Sequence, residues 1–71
     1  MKRYLDDLID FAFINGSMDD EQLNTVYRFY RGNNKDVCDR HPYMWAMIQM
    51  RSFEDFLKDY REAETYLTEE E

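Results

Sequence analysis

The stretch 42-PYMWAMIQMRSFEDFLKDYREAETYL-67 decides how many helices this chain has. At about 100° per residue, Met44, Met47 and Ile48 share one side of a helix with Trp45 on its flank. Phe53, Phe56, Leu57, Tyr60 and Leu67 point nearly the opposite way. A straight surface helix buries one apolar stripe, so two opposed stripes do not fit on it. Ser52, followed by Glu54 and Asp55, reads as an N-terminal cap with acidic side chains in the first turn. The spacing therefore predicts a break or kink near Arg51 and Ser52. The alternative is one long helix buried on different faces at its two ends, one of them covered by a partner chain.

Working outward, Pro42 suits the first position of a helix, where no amide donor is needed, with His41 or Asp39 near the cap. Residues 33–41 carry no sustained apolar period and read as a connection, with one short turn around Val37 and Cys38. Before it, Leu23, Val26, Tyr27 and Tyr30 form a helical stripe. Ser17 is the expected cap of that helix, Asp19 and Asp20 lie in its first turn, and Arg28 and Arg31 lie near its C-terminus. Gly32 and the two asparagines after it should end this helix by Arg31. The first helix is marked by Tyr4, Leu5, Leu8, Ile9 and Ala12 on one face, with Asp6, Asp7 and Asp10 turned away and a stop at Asn15 and Gly16. The expected fold class is thus all-α, a small bundle of three to four amphipathic helices.

Seventy-one residues allow one domain, 1–71, with Glu69, Glu70 and Glu71 as an acidic tail expected to fray. A chain this short buries a modest share of its surface. Its 17% aromatic content compensates in part, since each large ring buries about 150–250 Å². Phe13 and Phe29 nevertheless fall outside the main stripes of their helices, and Tyr43 and Trp45 flank the methionine face.

Sixteen acidic residues against nine Lys and Arg give a net charge of -7, which argues against direct binding to nucleic acid or to an anionic membrane. The charge is uneven. Residues 1–23 carry two basic and six acidic side chains, residues 24–53 five and two, and residues 54–71 two and eight. The middle is positive and both flanks are negative, a pattern that fits either neutralisation inside the bundle or a complementary surface for self-association. No apolar run reaches membrane-spanning length, three aspartates within the first ten residues are foreign to a secretory signal, and a lone cysteine makes no internal disulfide. The expected location is the cytoplasm.

Candidate chemistry is thin. Cys38 and His41 are three residues apart, with Asp36 and Asp39 beside them, and a nucleophilic thiolate needs such a base and an orienting group. A structural zinc site needs more Cys or His ligands than one of each. Two glycines leave no material for a phosphate-binding loop or a nucleophile elbow. No catalytic residue, cofactor or metal is expected. Arg28, Arg31, Lys35 and Arg40 with Phe29 invite a nucleic-acid reading. The connection after them is too long for a helix-turn-helix, and the acidic helices would repel a phosphate backbone.

Two functional expectations remain. The leading one is a non-enzymatic interaction or regulatory module, a homodimer or the partner of an unidentified protein, whose interface comprises Phe29, Tyr43, Met44, Trp45, Met47 and Ile48. Exposed aromatic and methionine side chains usually mark such a surface. The other is an acidic nucleic-acid mimic that inhibits a DNA- or RNA-binding protein by presenting Asp6, Asp7, Asp10, Asp59, Glu62 and Glu64.

Overall fold

The computed structural model describes residues 3–69. It contains four helices in chain order, α1 (Tyr4–Asn15), α2 (Asp20–Gly32), α3 (Pro42–Ile48) and α4 (Phe53–Glu69), with no strand among the described residues. The break expected near Arg51 and Ser52 is present. Met50 N donates to Met47 O at 3.0 Å and Arg51 N to Ile48 O at 3.3 Å, tight turns that end α3. Ser52 Oγ then accepts from Asp55 N at 3.3 Å and starts α4. Glu69 belongs to the last turn of α4, while Glu70 and Glu71 of the expected tail lie outside the described residues.

α1 and α4 run in the same direction. Tyr4 Oη, at the start of α1, donates to Asp59 Oδ2, and Ala12 and Leu67, further along each helix, line one hollow. α2 runs against α4, with Asp20 paired to Arg61 and the Tyr27 ring packed on Phe53 and Phe56. The core comprises Leu8 and Ala12 from α1, Leu23 and Tyr30 from α2, Met44 and Ile48 from α3, and Phe56, Tyr60 and Ala63 from α4. Phe11 joins the layers, its ring edge-on to those of Tyr30, His41 and Tyr60.

Three local expectations are corrected. The cap of α2 is Asp19 rather than Ser17: Gln22 N donates to Asp19 Oδ1 at 2.8 Å and Asp19 N to Gln22 Oε1 at 3.0 Å. Both candidates offer a side-chain oxygen, but Asp19 has a long amide three residues on that can return the bond, whereas Ser17 has only the shorter Asp20. α2 also takes in Gly32, one residue past Arg31. Finally, Asp7 is not turned away to solvent. It is fully buried, because α3 packs across α1 and sets its N-terminus on that carboxylate.

Candidate interaction surface

α3 is seven residues long, below the length at which a helix stands without tertiary support, and each end is held by another element. At its start Asp7 Oδ2 accepts from Tyr43 N at 2.8 Å and Met44 N at 3.1 Å, the role a local capping residue would otherwise fill. His41, beside it, is buried, and its Nε2 lies 2.8 Å from Asp10 Oδ2. At the other side α3 closes the end of α2. Trp45 Nε1 donates to Asn33 O at 2.8 Å and Gln49 Nε2 to Tyr30 O at 2.9 Å, while Asn33 Nδ2 donates to Phe29 O at 2.8 Å. Carbonyls left unsatisfied at a helix C-terminus thereby find donors.

These anchors fix which way α3 faces. Met44 and Ile48 point inward and are fully buried. Of the residues expected at an interface, these two fill the monomer's own core, each contributing about 1.5–3 kcal/mol of apolar burial. Trp45 and Met47 are half-buried. Tyr43 and Ala46 face outward, Tyr43 at 46% exposure, and Met50 follows at 74%. Pro42, Tyr43, Trp45 and Ala46 line an open groove with Lys35 at its edge. From Pro42 to Met50 there is not one charged side chain, a feature visible in the sequence once the outward direction of α3 is known. Phe29, on α2, is 49% exposed, with its ring edge-on to Tyr30. Phe13, at 76%, lies on α1 and forms no part of this face.

The acidic set of the mimic reading differs in burial and engagement. Asp7 is interior. Asp10 is engaged by His41, Asp59 by Tyr4 and Arg51, and Glu64 by Arg61. Asp6 and Glu62 are exposed, Asp6 accepting from Arg3 N at 3.1 Å.

Cys38 and His41 do lie near one another, both buried, with His41 N donating to Cys38 O at 3.2 Å. Burial pushes the Cys38 thiol up, and the charge of Asp39 adds to this, which is the reverse of what activates a nucleophile. Burial likewise pushes the hydroxyls of Tyr30 and Tyr60 up to about 12, so both stay neutral in the interior. Among the described residues no group of three His, Cys, Asp or Glu is placed to hold a metal ion, and no helix is long and apolar enough to cross a membrane.

The fold defines a compact all-α domain of four helices whose third helix is apolar on both its inner and outer sides. No protein-family model matches the chain, and neither a curated protein nor a solved structure shows significant similarity to it.

Proposed function

We propose that this protein is a non-enzymatic interaction module that pairs with a second copy of itself through the outer face of α3. The observation that carries this is the charge-free run from Pro42 to Met50, in which Tyr43, Ala46 and Met50 stay exposed in the monomer. A helix that is apolar all round belongs in an interior. Here Tyr43, Ala46 and Met50 are exposed, and a chain of this size buries only a modest share of its surface on its own. Aromatic and methionine side chains are the types enriched at the centres of protein interfaces. The buried, deactivated Cys38 thiol and the structural engagement of His41 support a role without covalent chemistry.

Sedimentation equilibrium of the wild type and of Ala46→Arg tests this reading. Ala46 is exposed and Arg is a good helix former, so the fold should be unaffected, which far-ultraviolet circular dichroism checks. The wild-type mass should rise with concentration towards that of two chains, while Ala46→Arg should remain a monomer. A wild type that is monomeric throughout, or an Ala46→Arg variant that associates as the wild type does, would refute it.

A further inference from the structure

The face of α3 is too small to hold a pair together by itself. A stable interface buries about 800 Å² on each partner and takes about 20–30 residues a side, whereas α3 offers seven residues, with Met44 and Ile48 turned inward. The contact must therefore spread onto what adjoins α3, and the groove shows the direction. Lys35 stands at its edge, and the bond from Trp45 to Asn33 joins it to the C-terminal end of α2, where Arg28 and Arg31 flank Tyr27 and Gly32 in a second hollow.

This strip is basic, and its charge is not used at home. Of the five basic residues between 24 and 53, Arg51 alone forms an ion pair with a carboxylate among the described residues, that with Asp59. Arg28, Arg31, Lys35 and Arg40 are exposed and form none; Arg31 instead lies over the Tyr27 ring and donates to its hydroxyl at 2.9 Å. Neutralisation inside the bundle thus accounts for little of the alternation in charge along the chain. A surface of matching charge is on the same molecule, away from Arg28 and Arg31. Because α2 and α4 are antiparallel, Arg28 and Arg31 lie toward the start of α4, and the acidic C-terminal half of α4 lies away from them. There Glu62 and Tyr66, four residues apart on one exposed face, put a carboxylate beside an aromatic ring, and the sequence continues to three glutamates.

Resting on the reading that α3 is a self-association face, we infer that the occupant of the strip is the C-terminal half of α4 of a second copy, carrying Glu62 and Tyr66. Two chains laid side by side and antiparallel place the acidic end of each on the basic strip of the other. The same contact is then made twice and the pair closes as a symmetric dimer. Tyr66 meets the groove of Trp45 and Tyr43, and Glu62 meets Lys35 or Arg31. Opposed potentials of this kind fix orientation and register more than they add affinity.

A charge exchange tests the inference. One variant carries Arg28→Glu and Lys35→Glu, the other Glu62→Lys and Thr65→Lys, both on the exposed side of α4. Each alone should self-associate at least about tenfold more weakly than the wild type, because like charges meet at both contacts. Mixed in equal amounts, the two should form a one-to-one heterodimer with affinity near that of the wild type, and a chain carrying all four substitutions should self-associate again. Recovery in the mixture also shows that each variant is folded. If each variant alone associates as tightly as the wild type while Ala46→Arg does not, the α3 reading stands and the docking of α4 is overturned. If both charge variants weaken association but neither the mixture nor the fourfold variant recovers it, the docking of α4 is likewise overturned. A wild type that never associates overturns both.

Discussion

Inside the bundle, the carboxylate of Asp7 takes hydrogen bonds from two backbone amides 36 and 37 residues further along the chain, and its other oxygen, Oδ1, meets no donor among the described residues. A buried amide that loses its acceptor costs about 1–3 kcal/mol, and Asp7 serves two. Asp7→Ala should therefore lower the stability by about 2–4 kcal/mol in chemical denaturation, against less than about 1 kcal/mol for the neighbouring exposed Asp6→Ala. Equal effects of the two substitutions would show that the α1 carboxylate does not cap α3. Nothing in the local sequence distinguishes Asp7 from Asp6 or Asp10 strongly enough to reveal this. Charged side chains beside an apolar stripe are usually wetted, and the exception depends on which helix crosses overhead. The same holds for His41, whose ring is turned inward to Asp10 and Phe11 because Pro42 starts α3 against α1.

At the scale of elements, the end of α1 has an identifiable cause. α1 ends where Gly16 takes φ 72 and ψ -158, a conformation populated almost only by glycine, and its amide returns to Ala12 O at 2.8 Å. Open space surrounds the position a Cβ would occupy, so a substitution there acts through the backbone alone. Gly16→Ala should cost about 1–3 kcal/mol, read as a lowered denaturation midpoint at unchanged denaturant dependence, while a midpoint equal to that of the wild type would mean the turn relaxes into another conformation. Helix number, the break before Ser52 and the apolar stripes were legible in the sequence because they depend on period and local capping chemistry. The shift of the α2 cap from Ser17 to Asp19 was not, since it depends on which of two suitable caps has the better-matched side chain three residues on. The tie between the end of α2 and α3 through Trp45 and Gln49 was also hidden, because both donors act across the connection.

For the molecule as a whole, four helices leave one apolar face and one basic strip exposed, and place an acidic, tyrosine-bearing helix end away from Arg28 and Arg31. The sequence pointed to the region of this surface through its rings and methionines, and to the alternation in charge. It could not separate Met44 and Ile48 from Tyr43, Ala46 and Met50, because a charge-free segment carries no polar residues to mark its outer side. The decisive measurement is an isotope-filtered nuclear Overhauser experiment on a mixture of labelled and unlabelled chains, which registers only contacts between copies. The account predicts intermolecular cross-peaks from the Tyr43 and Trp45 rings and the Ala46 methyl group to the second chain, with Tyr66 among the protons they reach. Intermolecular cross-peaks confined to other faces, or none from α3 at concentrations where the chain is associated, would contradict it.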